Sequence, residues 1–293
     1  MKKHPDLTSP RDVVALFEEH GLQPNKRLGQ NFLIDGNTAR NIIAAMELKA
    51  GDAVVEVGPG AGALTSLMAQ KKVDIIALEI DRGLSNMLTA IMEPWSNVEI
   101  INRNALKVNW SVLIDEKFGA GRKVKLISNL PYVISGSFMY SLFESAFPFE
   151  SAVLMFQKEV ARRLVALSGD SNYGALSVLS QYYTEGKVIF NVPSTVFWPR
   201  PTVDSAVLKL LPLSVSLSDE EEKMMWHIVQ GSFQQRRKTM HNNLSRLFKG
   251  YQGLSSFIFK NASVNPEVRP EDLTAGQFAI LASLAYNYIN KLS

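Results

Sequence analysis

The chain has 293 residues, 46% of them hydrophobic, and a formal net charge of +3. This length and apolar content are typical of a soluble globular protein with one large domain and a smaller one. The sequence contains no cysteine, which excludes disulfide bonds, thiolate metal ligands and a cysteine nucleophile and is compatible with a reducing compartment.

No segment has the pattern of a membrane span or a secretory signal. The longest apolar runs are too short and too polar to cross a bilayer, and the residues after Lys2 and Lys3 do not form an apolar segment. We therefore expect a cytoplasmic protein that does not contact a membrane. The histidines are scattered without the spacing of metal ligands, so we predict no metal site.

Short apolar or β-branched runs alternate with segments of helical spacing through the first two thirds of the chain. Such runs are typical of strands that are buried on both faces of a sheet. The pattern predicts an α/β fold with a doubly wound, mostly parallel sheet, whose last strand lies antiparallel at one edge. The predicted strands are Ala53–Val57, Asp74–Leu78, Val98–Ile101, Val124–Ile127, Ala152–Phe156, Lys187–Val192 and Ser205–Leu211, with a helix at Tyr173–Tyr183.

The pattern changes after Leu211, where a serine-rich linker begins. The segment Ser218-Asp219-Glu220-Glu221 indicates a helix start, because a serine cap and first-turn acids complement the exposed amides of a helix. The remaining sequence has helical spacing. We predict two domains: residues 1–212, with an N-terminal helical extension, and a smaller all-helical domain at residues 213–293.

The helical domain contains a stretch, Lys223 to Lys260, with seven Lys or Arg and no Asp or Glu. A charge run taken alone is more often a solvated helix face. The absence of acids favours contact with a nucleic acid backbone. The seven cations are Lys223, Arg236, Arg237, Lys238, Arg246, Lys249 and Lys260.

A glycine-rich turn follows the first predicted strand of the sheet. Gly58 and Gly60 let the backbone turn tightly and approach a ligand without a Cβ in between, whereas Pro59 removes an amide that a pyrophosphate loop would present. Glu79 ends the next strand, where an acid can accept hydrogen bonds from both ribose hydroxyls. The pattern favours a nucleoside without a diphosphate; the alternative is an ordinary strand-to-helix turn with an exposed acid nearby.

The segment Asn129-Leu130-Pro131-Tyr132 follows a central predicted strand. The side-chain oxygen of Asn129 and the main-chain oxygen of Leu130 could accept both hydrogens of an adenine amino group, which would free the nitrogen lone pair for attack. Pro131 restricts the local backbone, and Tyr132 can stack on the base. These four candidate catalytic residues would act by positioning and electrostatics. The alternative is a proline turn with a core tyrosine.

Six motifs carry a resemblance to a known family: Lys26–Leu33, Glu56–Gly60, Asn129–Ser135, Phe156–Ala161, Phe197–Ser205 and Phe233–Thr239. From about Lys26 to the last helices, the chain resembles the KsgA-type ribosomal RNA small-subunit adenine N6-dimethyltransferases, which are class I S-adenosylmethionine-dependent methyltransferases. The resemblance implies dimethylation of two adjacent adenines in a hairpin loop near the 3′ end of small-subunit (16S) ribosomal RNA. The implied partner is the immature 30S subunit, with a role in small-subunit biogenesis, and we expect a monomer.

The resemblance also implies roles for individual residues. The cofactor-binding residues that it implies are Asn31, Leu33, Gly58, Gly60, Glu79, Asn104 and Asn129. The substrate-binding residues that it implies are Tyr132, Phe197, Arg236, Arg237 and Lys238, where Phe197 forms a wall of the base pocket opposite Tyr132 and the three cations contact RNA. At Asn104, which would face the adenine of the cofactor, the family usually has Asp, so we expect weaker cofactor affinity.

Two alternatives stay open from the sequence. An Erm-type enzyme would modify an adenine in large-subunit ribosomal RNA, although Thr202–Val207 and Arg236–Thr239 favour the small-subunit type. A ribosome assembly factor would act by binding, without essential turnover.

Overall fold

The structure is a computed structural model that describes residues 4–145 and 147–291. The chain divides into two compact units. The first runs to Ala161 and resumes at Gly186–Pro212, and the second contains Arg162–Glu185 and the chain from Leu213 onward. One boundary therefore falls at Pro212, where the sequence pattern changes, and a further helical segment joins the second unit. The assignment of residues 1–212 and 213–293 to two separate domains stays a prediction.

The described residues form nine strands in two sheets. They are β1 (Phe32–Leu33), β2 (Ala53–Val57), β3 (Asp74–Glu79), β4 (Val98–Asn102), β5 (Val124–Asn129), β6 (Phe149–Gln157), β7 (Thr184–Val192), β8 (Phe197–Trp198) and β9 (Ser205–Pro212). β1 and β8 form a short antiparallel pair, and the other seven form one sheet in the order β4-β3-β2-β5-β6-β9-β7.

The large sheet is mostly parallel, which confirms the predicted fold class. β4, β3, β2, β5 and β6 are parallel neighbours, whereas β9 is antiparallel to β6. The prediction that β9 forms the edge was wrong, because β7 lies beyond it. The burial of the two strands agrees with this order, since β9 is buried along most of its length and β7 is largely exposed between its buried ends.

The described residues also form twelve α-helices. They are α1 (Pro10–Glu19), α2 (Gly36–Ala45), α3 (Ala63–Ala69), α4 (Arg82–Met92), α5 (Trp110–Phe118), α6 (Ser135–Glu144), α7 (Lys158–Val165), α8 (Ala175–Tyr183), α9 (Asp219–Gln234), α10 (Met240–Leu247), α11 (Leu254–Ala262) and α12 (Ala275–Asn290). The predicted start of α9 is confirmed, because Ser218 accepts from the Glu221 amide in a capping box. Within the described ranges, no helix has the length and apolarity to cross a membrane.

Each unit has its own hydrophobic core. In the first unit, Val54 and Val55 point to opposite faces of β2 and both are fully buried, so the sheet is covered on both sides. In the second unit, α9 and α12 pack around side chains such as Ile228 and Phe278, which are also fully buried. Because β4, β3, β2 and β5 are adjacent and parallel, the residues that follow them meet at one edge of the sheet.

Candidate active site

The turn after β2 requires glycine for two separate reasons. Gly58, Gly60 and Gly62 have φ angles of +68°, +57° and +88°, which residues with a Cβ rarely adopt. A Cβ on Gly60 would also lie 2.9 Å from the Phe32 ring, and one on Gly62 would lie 2.6 Å from Cδ2 of Leu88. The packing therefore leaves no room for a side chain at Gly60 or Gly62, whereas at Gly58 the positive φ alone favours glycine.

Two buried acids hold the turn in place. Glu79, at the end of β3, accepts from the amide of Gly60 at 3.1 Å and from that of Asp81 at 2.9 Å. Glu56 accepts from the hydroxyl of Thr65 at 2.6 Å. Burial raises the pKa of both carboxyls, that of Glu56 to about 7, and the charge of Glu79 adds to the shift at Glu56. Each oxygen of Glu79 keeps a lone pair for a ligand hydroxyl.

A cleft that is open to solvent lies at this edge of the sheet. The structure brings together here all seven sequence-predicted cofactor residues, Asn31, Leu33, Gly58, Gly60, Glu79, Asn104 and Asn129, and the remaining candidate catalytic residues, Leu130, Pro131 and Tyr132.

The amide group of Asn129 has a defined orientation. Its Nδ2 donates to the main-chain oxygen of Asn31 at 3.2 Å, and the Asn31 side chain donates to the oxygen of Gly29 at 3.0 Å. This leaves Oδ1 of Asn129 as an acceptor. The Leu130 amide donates to Met155 O at 3.3 Å, whereas the Leu130 carbonyl accepts nothing from the part of the chain that the structure describes. Two neighbouring acceptors, Oδ1 of Asn129 and the Leu130 carbonyl, thus lack donors among the described residues.

Tyr132 is positioned by its hydroxyl group. The phenol oxygen lies 2.7 Å from the Oγ of Ser205, and the ring lines the cleft. Burial raises the pKa of Tyr132, and the charge of Asp204 acts in the same direction. The phenol therefore stays neutral, which suits a ring that stacks on a base and excludes a role as a general base near neutral pH.

Asn104 follows β4 and caps a short 3₁₀ turn, Ala105–Lys107. Its Oδ1 accepts from the amide of Leu106 at 3.0 Å. The side chain also lines the cleft, next to the end of β3. Asn104, which stands where the resembled family usually has Asp, therefore both caps this turn and lines the cleft.

Phe197 does not reach the cleft. It lies in β8, where it pairs with Leu33, and only 3% of its surface is exposed. The ring belongs to the hydrophobic core that also contains Ile43 and Val207. Because its side chain is enclosed by this core, the structure does not place Phe197 opposite Tyr132 as a wall of a base pocket.

The three predicted RNA-binding cations differ in their surroundings. Arg236 donates to the main-chain oxygen of Ser171 at 3.3 Å and lies 3.5 Å from an oxygen of Glu271. Arg237 and Lys238, in the turn after α9, are exposed. Because its partners lie within its own unit, Arg236 stabilises the turn. Arg237 and Lys238 are the two cations that are available to bind an anion.

Two further cations at the cleft were missed by the sequence reasoning. Arg27 and Arg103 line the cleft, are exposed, and form no ion pair with any residue in 4–145 or 147–291. Arg27 precedes β1 and Arg103 follows β4, so only the fold brings them to one site. The sequence did contain a signal for each of them, because Arg27 lies in the first family motif and Arg103 is next to Asn104.

The sheet order, the glycine turn and the acid that ends β3 define a class I S-adenosylmethionine-dependent methyltransferase. The residues present fit this cofactor: the turn offers bare backbone, Glu79 has free lone pairs, and Pro59 has no amide to offer a phosphate. The particular family follows from comparison with known proteins. The family model described as ribosomal RNA adenine dimethylase matches residues 21–286, and the chain belongs to this family.

Relatives that match almost the full length share one name, ribosomal RNA small subunit methyltransferase A. The protein from Pelotomaculum thermopropionicum is 43% identical over 94% of this chain and 96% of its own length. That from Ligilactobacillus salivarius is 40% identical over 95% of each chain. Among solved structures, a dimethyladenosine transferase from Plasmodium falciparum superposes with a TM-score of 0.68 at 26% identity, covering 84% of this chain and 94% of that one.

A second solved structure shows how widely the fold is shared. The 23S rRNA methyltransferase ErmE superposes with a TM-score of 0.64 at 23% identity, covering 87% of this chain and all of that one. At this identity the likeness concerns the fold alone.

Proposed function

We propose that the protein transfers methyl groups from S-adenosylmethionine to N6 of adenine in small-subunit ribosomal RNA, and that its targets are two adjacent adenines in a hairpin loop near the 3′ end. The family and the name shared by its full-length relatives support the RNA substrate. The observation that carries the chemistry is the orientation of Asn129, whose Nδ2 is held by Asn31 O while Oδ1 stays free beside the glycine turn.

The adenine amino group is a weak nucleophile because its lone pair is delocalised into the ring. When bound, S-adenosylmethionine supplies an electrophilic methyl group on sulfur. Oδ1 of Asn129 and the carbonyl of Leu130 would each accept one N6 hydrogen, which favours a pyramidal nitrogen. The two acceptors would thereby present the nitrogen lone pair to the methyl group that the cofactor supplies, and the proton lost from N6 would pass to water.

The protein must also hold the RNA around the reacting base. A loop adenine is already partly unstacked, so its movement into the cleft costs less than extraction from a duplex. In the first unit, Arg27 and Arg103 are suited to phosphates that flank the target base. In the helical unit, Arg237 and Lys238 are suited to backbone contacts elsewhere on the RNA. We further propose that the substrate is the immature 30S subunit, that the enzyme acts as a monomer and that it works in the cytoplasm.

A methyl-transfer assay tests this function. Isolated small subunits that lack the modification are incubated with the protein and radiolabelled S-adenosylmethionine, and the labelled nucleotides are mapped. We expect dimethyladenosine at two adjacent adenines near the 3′ end of small-subunit RNA. Large-subunit RNA in the same reaction is the control, and label found only there would indicate an Erm-type enzyme instead.

The same design separates catalysis from subunit assembly. A strain that lacks the gene is complemented with wild type or with Asn129→Ala, which should bind RNA without methylating it. We expect the growth and subunit maturation of the N129A strain to resemble those of the deletion strain. Full rescue by N129A would show that binding without turnover is the main role.

A further inference from the structure

The loop that precedes β1 is bonded both to the turn after β3 and to the catalytic segment. In the part of the chain that the structure describes, two side-chain hydrogen bonds connect residues 25–31 with other elements. Nε2 of Gln30 donates to Oδ2 of Asp81 at 3.3 Å, and Nδ2 of Asn129 donates to the oxygen of Asn31 at 3.2 Å. The residue that bonds to Asp81 and the residue that orients Asn129 are therefore adjacent in the chain.

Both ends of the Gln30 amide are used. Its Oε1 accepts from the main-chain amide of Asn25 at 2.8 Å, which closes the loop, while Nε2 donates to Asp81. Asp81 is itself fixed, because its Oδ1 accepts from the amides of Gly83 and Leu84 at the start of α4. Gln30 cannot reverse its amide without placing the NH₂ group against the amide of Asn25.

The loop also lies close to the catalytic segment. Gly29 has a φ of +65°, and a Cβ at this position would lie 3.0 Å from Cγ2 of Val133, the residue after Tyr132. Because the two segments approach so closely, a displacement of the loop changes the distance between the Asn31 oxygen and Nδ2 of Asn129. That bond is the one that fixes the amide of Asn129.

We propose that Gln30 is a positioning residue for methyl transfer, and that it acts by holding the Asn31 oxygen where it orients Asn129. The proposal rests on the proposed function, in which Oδ1 of Asn129 accepts a hydrogen of N6. Gln30 also lines the cleft, so the experiment has to distinguish an effect through Asn129 from a direct contact between Gln30 and a ligand.

Two substitutions that hardly change side-chain shape break the bond between Gln30 and Asp81 from either side. Gln30→Glu still accepts from Asn25 but sets a carboxylate against Asp81, whereas Asp81→Asn still caps α4 but sets its NH₂ group against that of Gln30. The double variant Q30E/D81N restores one donor and one acceptor with their positions exchanged. We expect single-turnover methyl transfer to small subunits to fall about tenfold in each single variant and to return to within about threefold of wild type in the double variant.

The matched control is Gln70→Glu. It makes the same change of charge in the first unit, at an exposed residue that donates to Ser66 O and does not line the cleft. Q70E should keep the wild-type rate. An equal loss of rate in Q70E and Q30E would show a general effect of charge and overturn the proposal.

A second comparison combines Q30E with Asn129→Ala. If Gln30 acts through Asn129, Q30E/N129A should transfer methyl groups within about twofold of the N129A rate, because the oriented amide is already absent. A direct contact of Gln30 with cofactor or RNA, or a general loss of stability, would give a further loss of about tenfold in the combined variant. That result would overturn the proposal.

NMR spectroscopy tests the orientation of Asn129 without RNA. In protein labelled with ¹⁵N at its asparagine side chains, the Asn129 signal is identified by its absence in N129A. We expect this signal to shift or broaden in Q30E and in D81N and to regain its wild-type position in Q30E/D81N, with thermal melts showing folded proteins. An unchanged signal in Q30E would overturn the proposal even if the enzyme methylates small subunits. Failure of the wild type to methylate them would overturn the proposed function and leave this measurement intact.

Discussion

The cleft and the basic turn of the helical unit contrast in how their side chains are held. In the cleft, buried groups such as Glu79 make several hydrogen bonds, and the glycine turn has no space for a Cβ at Gly60 or Gly62. In the turn after α9, Arg237 and Lys238 are exposed, and of these three side chains only that of Arg236 has a partner among the residues that the structure describes. A site that positions atoms depends on single contacts, whereas a surface that attracts a polyanion depends on summed charge.

The substitution Asn129→Ala should have the largest effect on the function of the cleft. It removes one of two acceptors for the amino group, so we expect methyl transfer to fall about 10²- to 10³-fold, the usual effect of losing one positioned polar group in the transition state. The dissociation constant of S-adenosylhomocysteine should change only a few-fold. Single-turnover rates on small subunits and calorimetry measure the two quantities.

The matched control for Asn129 is Asn31→Ala. It removes the side-chain bond to Gly29 but keeps the main-chain oxygen that orients Asn129. We expect a smaller loss of rate than for N129A. Equal losses in the two variants would contradict the assigned role of the Asn129 oxygen.

Glu56 makes the stability of the first unit depend on pH. Its pKa is raised from 4.5 to about 7 in the folded state. Between pH 4.5 and pH 7 the folded protein therefore keeps a proton on Glu56 that the unfolded chain has released. Stability from this group is present below pH 4.5 and is lost as the pH rises to 7, by about 3 kcal/mol in total.

The substitution Glu56→Gln should remove this dependence. We expect the free energy of unfolding of E56Q, relative to wild type, to increase by up to about 3 kcal/mol between pH 4.5 and pH 8. Urea unfolding at several pH values measures the difference. Parallel stability profiles for the two proteins would show that Glu56 does not titrate in this range.

Gly60→Ala separates packing from backbone strain. An alanine at position 60 has to adopt a positive φ, and its Cβ also meets the Phe32 ring. The comparison is Gly51→Ala, where the φ of +84° is also positive but no atom lies within 4 Å of the added Cβ. We expect G60A to lower the free energy of unfolding by about 2–3 kcal/mol and G51A by about 1 kcal/mol. Cofactor binding should weaken only in G60A, and equal binding by both variants would contradict the role of the turn.

The smallest effect is expected at the helical surface. Removing Arg237 and Lys238 together should weaken RNA binding a few-fold and reduce the slope of log K against log salt by about 1.4, with cofactor affinity unchanged. Arg236→Ala should change the salt slope less, because Arg236 is paired with Glu271. Filter binding at several salt concentrations measures the slopes, and a larger change for R236A would reverse the assignment.

Much of the site could be predicted from the sequence because its parts are local. The glycine turn, Glu79 and the segment Asn129–Tyr132 each follow a strand directly, and parallel strands bring the residues after them to one edge. Phe197 could not be placed in this way, since its burial depends on the pairing of β8 with β1, which are far apart in the chain. Arg27 and Arg103 were missed for the same reason.

The sequence by itself determined the fold class and the glycine turn, because periodicity and turn chemistry act over a few neighbouring positions, whereas Asn31, Leu33 and Asn104 were implied by the family resemblance. Only the tertiary structure decided how the side-chain amides are oriented, at Asn129 through the oxygen of Asn31 and at Asn104 through the amide of Leu106. It also decided that β9 is an inner strand and that Arg236 pairs with Glu271 in its own unit. Such outcomes depend on which donors and acceptors meet after folding, and a linear pattern does not contain that information.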